Sequence, residues 1–212
     1  MEVVLRYEEF TIEGRNAVLE AYRSGKTIDR LFVLDGCQDG PIQTVKREAK
    51  KHDCIVQFVR KERLDQLSET GHHQGVIAYA AAYNYAEVED ILAIAREKNE
   101  PPFIFLLDKI EDPHNLGAII RTANLAGAHG VIIPKRRAVG LTAVVAKASA
   151  GAVEYMKVAR VTNINNAIAE LKEKGVWVFG TAAEGSIPMY KADLSGPSAI
   201  VIGNEGDGMS QL

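Results

Sequence analysis

Arg121 is the residue of this chain best placed to do chemistry. It follows an apolar run at 103–107, which predicts a buried strand, and a turn that contains Pro113. In the predicted helix 115–127, Asn115 stands at the expected N-cap and Arg121 lies beside the apolar stripe. Because α/β folds bind ligands at the carboxyl ends of their strands, Arg121 is a candidate site residue. Its guanidinium can clamp a phosphate or stabilise a developing oxyanion, although spacing alone also fits a solvated arginine and a capping asparagine.

A second block of small and polar residues follows another apolar run. Residues 203–208, Gly-Asn-Glu-Gly-Asp-Gly, come directly after a predicted strand at 199–202. Their glycines allow positive φ and let a ligand approach the backbone closely, although a flexible surface turn has the same composition. No glycine-rich turn follows the strand at 103–107, so the sequence disfavours a standard dinucleotide pocket.

The elements that must hold these two blocks alternate regularly from residue 103 onward. Apolar runs that predict strands are separated by amphipathic segments that predict helices. This alternation predicts a parallel sheet covered by helices on both faces. The predicted strands are 103–107, 130–133, 156–161, 176–179 and 199–202, and the predicted helices are 115–127, 142–152 and 164–174.

Residues 1–82 predict a smaller α/β domain with a mainly parallel or mixed sheet. The following segment, 83–102, is predicted to be a connection that contains a helix at 86–98 and stops at two prolines. We therefore expect a second domain at 103–212. In the first domain the predicted helices lie within 13–23, at 42–52 and around Leu64 and Leu67, and the predicted strands are 31–34, 55–59 and 75–80.

The two blocks, 108–123 and 200–209, resemble the first and second signatures of the SpoU family. Its members are RNA ribose 2′-O-methyltransferases of the SPOUT class, which use S-adenosylmethionine. The segment 72–76 resembles the end of the L30e-like substrate-binding domain that precedes many SpoU catalytic domains. The resemblance implies an α/β fold in which an L30e-like domain precedes a parallel-sheet SPOUT methyltransferase domain of the trefoil-knot type. It also implies a homodimer.

The same resemblance implies roles for individual residues. Arg121 would act in catalysis, Asn115 would help to hold the site, and Glu205 would be the acid of the glycine-rich loop. A ribose 2′-hydroxyl is a poor nucleophile, so methyl transfer needs in-line alignment and help with the departing proton. A guanidinium stays protonated and is a weak candidate for the general base, so we expect Arg121 to position the substrate and stabilise charge, and the group that removes the proton stays open. Asp108, Glu111 and Asp112 are more often turn or capping residues than bases. The residues expected to bind the cofactor are Gly203, Asn204, Gly206, Thr181 and Ala182.

Charge alone does not indicate RNA, because the net charge is −3 and residues 1–82 are not basic either. Two local clusters remain as candidates. Lys135, Arg136 and Arg137 follow the strand at 130–133 and should reach phosphates from the same sheet edge as Arg121. The second cluster, on the predicted helix 42–52, is better explained as a solvated face; it comprises Lys46, Arg47, Lys50 and Lys51.

The expected substrate is a guanosine of 23S ribosomal RNA. This expectation rests on the L30e-like leader and on the resemblance of residues 147–152 and 178–182 to the bacterial ribosomal RNA enzymes. Transfer RNA is the alternative substrate, and a non-catalytic RNA-binding or ribosome-assembly protein is the rival function. The third family signature is expected beyond Leu212, so we expect the sequence to be a fragment that lacks part of the cofactor pocket.

Other classes of protein fit the sequence less well. No apolar run approaches the about 20 residues of a membrane span, and the first residues do not predict a signal peptide. Cys37 and Cys54 lack metal-type spacing and are expected to be reduced thiols of a cytoplasmic protein. His72 and His73 have no partner ligands at suitable spacing, so no metal is expected.

Overall fold

The computed structural model describes residues 10–182, 186–204, 206, 208 and 209. Their contacts divide into two units, and each has its own sheet. The first unit runs up to Asn84 and includes Leu141–Ala143, and the second comprises Tyr85–Gly140 and the residues from Val144 onward. No helix among the described residues is long and apolar enough to cross a membrane.

The first unit is built on a mixed sheet of four strands. Strands β2 and β3 are parallel, whereas β4 is antiparallel to both of its neighbours, and the order is β1-β4-β2-β3. The sequence did not predict β1, which has only four residues and pairs with the last strand of the unit. The strands are β1 (Phe10–Glu13), β2 (Ile28–Leu34), β3 (Ile55–Val59) and β4 (Val76–Ala80).

Alternating side chains of β2 bury the two faces of this sheet. Leu31 and Val33 pack in a core with α1 (Arg15–Arg23) and α2 (Gly40–Lys51). Phe32 points to the other face and packs against Leu64 of α3 (Lys61–Leu67). The period of two follows from strand geometry and explains why helices cover both faces.

The second unit is built on a sheet of five strands in the order β7-β6-β5-β9-β8, and every neighbouring pair is parallel. Continuous apolar runs are typical of strands that are covered on both faces, as the sequence predicted. The strands are β5 (Phe103–Leu107), β6 (Gly130–Pro134), β7 (Lys157–Val161), β8 (Trp177–Gly180) and β9 (Ser198–Ile202).

Helices α4 (Val88–Lys98) and α7 (Ile164–Glu173) share a core with inward side chains of this sheet. Helix α4 lies within the predicted connection 83–102, yet Val88, Ile91 and Leu92 are buried in the core of the second unit. It is therefore part of that unit's architecture, while the domain bounds drawn from the sequence stay a prediction.

Helix α5 (Pro113–Leu125) contacts β6, and α6 (Ala143–Ala148) is shorter than the predicted helix 142–152. The helix ends early because Ala150 and Gly151 have positive φ, at 50° and 86°, which right-handed helix does not allow. A 3-10 turn, Ala152–Glu154, follows instead of further α-helix.

Candidate active site

Four parallel strands of the second unit end at one edge of the sheet. Asp108 follows β5, Lys135 follows β6, Thr181 follows β8 and Gly203 follows β9. The chain moves outward through β6 and β7 and then returns on the other side of β5 through β8 and β9. The strand order therefore reverses between β5 and β9, where open α/β sheets bind ligands.

Hydrogen bonds tie the loop after β5 to its neighbours on both sides. The backbone N–H of Asp108 donates to the carbonyl of Ile202 (2.8 Å), and Asn204 Nδ2 donates to the carbonyl of Lys109 (3.0 Å). From the other side, the N–H of Val139 donates to the carbonyl of Ile110 (3.0 Å). The two blocks that the sequence analysis singled out are thus adjacent. The segment after β6, which begins with the basic loop, contacts the first block through Val139 and Ile110.

The glycine-rich loop after β9 folds back on itself. Asn204 and Gly208 exchange two backbone hydrogen bonds (3.0 and 2.9 Å), and the N–H of Gly206 donates to Asn204 Oδ1 (2.8 Å). A Cβ at Gly203 would lie 2.4 Å from both the carbonyl carbon of Gly208 and the nitrogen of Met209, so this turn requires glycine. Glu205, predicted to be the acid of this loop, lies outside the described residues.

Thr181 and Ala182 stand beside this loop at the end of β8. Both the N–H and the Oγ1 of Thr181 donate to the carbonyl of Val201 in β9 (3.0 and 2.9 Å). Ala182, the next residue, is exposed. The predicted cofactor-binding residues that the structure describes therefore lie on two neighbouring strand ends.

Asn115 is not the N-cap of α5, and that prediction was wrong. The cap is Asp112, whose carboxylate accepts a hydrogen bond from the N–H of His114 (2.8 Å), and Pro113 occupies the first helical position. Proline is favoured there because its missing N–H has no partner to lose, and this signal was present in the sequence. Asn115 is instead a half-buried residue of the first turn.

Arg121 is exposed and lies two turns further along α5. Among the residues that the structure describes, it has no hydrogen-bond or ion-pair partner. It stands about 12 Å along the helix axis from Pro113, and its side chain leaves the backbone in the direction of the helix start. The structure thus leaves its guanidinium available, on a helix that begins at the candidate site.

Gly117 lets α5 approach α6 closely. A Cβ at this position would lie 2.5 Å from the Cβ of Ala148 and 2.8 Å from the carbonyl oxygen of Val145. The sequence analysis did not identify this contact, although a glycine inside a predicted helix is a signal for close packing.

The two basic clusters differ in their surroundings. Arg136 and Arg137 are exposed in the loop after β6, at the predicted edge. On α2, Lys46 is half-buried, donates to the carbonyl of Cys37 (3.0 Å) and lies 5.0 Å from the ring centroid of Phe58. Lys51 pairs with Glu48 at 2.8 Å. The α2 cluster is therefore less available for a polyanion than the loop after β6.

His73 is engaged within the first unit. Its Nε2 lies 2.9 Å from Asp65 Oδ1, and its Nδ1 accepts a hydrogen bond from the N–H of Gly75 (3.0 Å). Both ring nitrogens are therefore used by the protein itself. In the described part of the chain, no group of three or more His, Cys, Asp or Glu residues could hold a metal ion.

Comparisons with known proteins identify the family. Residues 102–212 match the model of the SpoU rRNA Methylase family, and residues 11–86 match the model described as RNA 2′-O ribose methyltransferase substrate binding. A protein of Bacillus subtilis, assigned to the TrmH family of tRNA/rRNA methyltransferases, is 50% identical over 199 residues, which are 94% of this chain and 80% of that protein. A TrmH family relative from Staphylococcus saprophyticus is 47% identical over 97% of this chain and 82% of its own length. This chain belongs to the SpoU family.

Solved structures agree with this assignment. The SpoU methyltransferase AviRb of Streptomyces viridochromogenes, with bound AdoMet, superimposes with a TM-score of 0.54 at 21% identity, covering 96% of this chain and 76% of its own; it shares the fold. An AdoMet-bound rRNA methyltransferase of Sinorhizobium meliloti gives 0.51 at 25% identity, over 95% and 73% of the two chains. The predicted fold class, a SPOUT domain after a substrate-binding domain, is confirmed.

This SpoU protein is therefore an RNA methyltransferase that uses S-adenosylmethionine, and the predicted enzyme class and cofactor are confirmed. The relatives and solved structures that match are named as methyltransferases, which favours the enzyme over the rival hypothesis of a non-catalytic RNA-binding or ribosome-assembly protein. The roles of individual residues stay predictions, as does the homodimer.

Proposed function

We propose that this SpoU protein methylates the 2′-hydroxyl of a guanosine ribose in 23S ribosomal RNA. We choose the ribose oxygen as the methyl acceptor because residues 11–86 match a substrate-binding domain of RNA 2′-O ribose methyltransferases. The rRNA methyltransferase of Sinorhizobium meliloti supports ribosomal RNA, whereas the names of the Bacillus and Staphylococcus relatives include transfer RNA as well. Guanosine rests on the sequence resemblance. The proposal also includes a homodimer and a cytoplasmic location.

In this proposal the ends of β8 and β9 hold S-adenosylmethionine, which supplies an electrophilic methyl group. The residues there fit an adenosine cofactor, because Thr181 and Ala182 are small and exposed. Gly203, which has no side chain, lets the returning loop lie close to the end of β9. Asn204 keeps the glycine-rich loop closed through its bonds to Gly206 and Lys109. Gly206 completes that turn.

Arg121 then acts on the substrate ribose. Its guanidinium remains protonated, so it stabilises the oxyanion that develops at the 2′-oxygen and holds the neighbouring phosphate through paired N–H donors. Asn115, half-buried in the first turn of the same helix, helps to hold the site. Lys135, Arg136 and Arg137 bind phosphates of the RNA at the same sheet edge. Glu205 is proposed as the acid of the glycine-rich loop, as the family resemblance implies.

Transfer of a labelled methyl group tests this function. Protein-free 23S ribosomal RNA and total transfer RNA are offered separately with labelled S-adenosylmethionine, and the labelled nucleotide is mapped and tested for 2′-O-methylation. A 2′-O-methylguanosine in 23S RNA supports the proposal. Label in transfer RNA alone transfers the function to that substrate, and label on a base overturns the assignment of the ribose oxygen.

Two glycine variants test the cofactor assignment through their affinity for S-adenosylmethionine, measured by calorimetry. Gly203→Ala should weaken binding of S-adenosylmethionine at least about tenfold, because a Cβ there collides with the returning loop. Gly196→Ala makes the same change where nothing lies within 4 Å of the new Cβ, and it should bind the cofactor normally. Equal affinity in the two variants would remove the loop after β9 from the cofactor site.

A further inference from the structure

Arg160 connects the basic loop after β6 to an aromatic ring at the edge of the sheet. Its guanidinium carbon lies 5.1 Å from the ring centroid of Tyr85, and its Nη2 donates to the carbonyl oxygen of Lys135 (3.3 Å). Arg160 lies near the carboxyl end of β7 and is half-buried. The sequence analysis did not single out either Arg160 or Tyr85.

Backbone contacts fix both partners of Arg160. The N–H of Ala86 donates to the carbonyl of Val158 (2.8 Å), and Ala86 forms a parallel bridge with Ala159, so the segment with Tyr85 runs along β7. On the other side, the N–H of Lys135 donates to the carbonyl of Val161 (2.8 Å). The first residue of the basic loop is therefore held by β7 at its N–H and, through Arg160, at its carbonyl.

The conformation of the basic loop makes this second bond important. Arg137 has φ of +56°, a left-handed conformation that costs free energy for a residue other than glycine. Two exposed arginines also repel each other, which favours a spread-out loop. The hydrogen bond from Arg160 restrains the peptide at which the loop starts, and so the direction in which the loop leaves the sheet.

We propose that Arg160 is a positioning residue for RNA binding, which acts by holding the carbonyl of Lys135 while its guanidinium stacks on Tyr85. The inference rests on the proposed function, in which Lys135–Arg137 bind RNA phosphates. An arginine suits this task because its planar guanidinium can stack on a ring and donate in its own plane at the same time, whereas a lysine ammonium is a point charge.

The test is a double-mutant cycle on RNA affinity. Arg160→Lys keeps the charge and removes the planar donor, so the Kd for the RNA substrate should rise about 3- to 10-fold, as for the loss of one hydrogen bond. KM should rise in parallel, while kcat and the affinity for S-adenosylmethionine stay unchanged. In a variant with Lys135, Arg136 and Arg137 all changed to alanine, Arg160→Lys should have no further effect on the Kd. Additive effects would overturn the positioning role, because Arg160 would then act independently of the loop.

Two more variants separate this role from general damage. Lys157→Gln removes a cation from the opposite end of β7 and should leave RNA affinity unchanged. Tyr85→Leu removes the stacking partner and leaves Arg160 unchanged in sequence, so it should also raise the Kd for the RNA. This variant keeps the inference testable if Arg160→Lys folds poorly. If S-adenosylmethionine affinity falls together with RNA affinity, Arg160 is only structural and the inference is wrong.

Two measurements distinguish a failure of this inference from a failure of the proposed function. Methylation of 23S RNA by the wild-type protein tests the function. If that reaction proceeds but the triple-alanine variant binds RNA normally, the basic loop is not an RNA site and the positioning role of Arg160 fails, while the proposed reaction and its substrate stand.

Discussion

Arg121 is the proposed site residue whose removal should impair the reaction most and the fold least. Its side chain is exposed and has no ion-pair or hydrogen-bond partner within the described ranges, so Arg121→Ala should change the free energy of unfolding by no more than about 0.5 kcal/mol. Loss of transition-state stabilisation should lower single-turnover methyl transfer at least about 100-fold. The affinity for S-adenosylmethionine, measured by calorimetry, should stay within about twofold of wild type. Loss of transfer and cofactor affinity together would mean that Arg121 is structural.

Glu13 should make the stability of the first unit depend on pH. Burial of its carboxylate would raise the pKa, but hydrogen bonds from Ser68, from Thr70 and from the N–H of Glu69 outweigh burial and lower the pKa from 4.5 to about 2. Because the folded pKa lies below the unfolded value, the stabilisation is complete above pH 4.5 and is lost as the pH falls toward 2.

Glu13→Gln is the matched variant for this prediction. With screening by solvent taken into account, we expect it to lower the free energy of unfolding at pH 7 by about 1–2 kcal/mol. Urea unfolding between pH 5 and pH 2.5 should show a smaller decline in stability for Glu13→Gln than for wild type. Parallel declines in the two proteins would show that Glu13 is not the group responsible.

At the scale of single residues, capping roles and side-chain contacts were harder to predict from the sequence than the helices and strands that carry them. The capping of α5 could be predicted from the pair Asp112 and Pro113, and choosing Asn115 overlooked the preference of proline for the first helical position. Lys46 could not be separated from the solvated face of α2, because its contact with Phe58 depends on how α2 packs against β3, which the periodicity of the helix does not show. The contacts of Arg160 with Tyr85 and Lys135 also depend on tertiary packing and could not be predicted from the sequence.

Among the elements, the contact between α5 and α6 should be sensitive to a single methyl group. Gly117→Ala places a Cβ 2.8 Å from the carbonyl oxygen of Val145, which is backbone and cannot move without shifting α6. We expect a loss of about 1–3 kcal/mol in the free energy of unfolding, as is common for overpacking. Methyl transfer should fall as well, because α5 carries Arg121.

Gly40→Ala is the control for this effect, since Gly40 also lies in a helix and a Cβ there would meet nothing within 4 Å. Alanine is the better helix former, so this variant should be as stable as wild type or slightly more stable. Thermal unfolding of the two variants gives the comparison. A stable Gly117→Ala protein would show that α6 adjusts to the methyl group.

The strands of the second unit could be predicted from the sequence because each is a short apolar run between turn residues. The bounds of β5, for example, match the run at 103–107. The strand β1 could not be found in this way, because four residues carry little periodicity and their pairing with β4 is decided by tertiary contacts. The end of α6 was misjudged although Gly151 is a typical helix terminator.

At the scale of the whole molecule, the two units should respond separately to the two substrates. The residues proposed to hold the cofactor all lie in the second unit, at the ends of β8 and β9, whereas residues 11–86 match a substrate-binding domain. A ligand that binds the native state lowers the frequency of local opening where it binds. Hydrogen exchange can therefore assign each ligand to a unit.

We expect S-adenosylhomocysteine, which permits no transfer, to slow amide exchange in the loops after β5, β8 and β9 and to leave strands β2 and β4 unchanged. Addition of the RNA substrate should then slow exchange in the first unit and in the loop after β6. A control RNA of equal length that is not methylated should protect the loop after β6 only weakly, since charge alone gives salt-sensitive, nonspecific binding. If the substrate RNA protects only the second unit, the first unit does not bind this substrate, and the residues that select the nucleotide must be sought in the second unit.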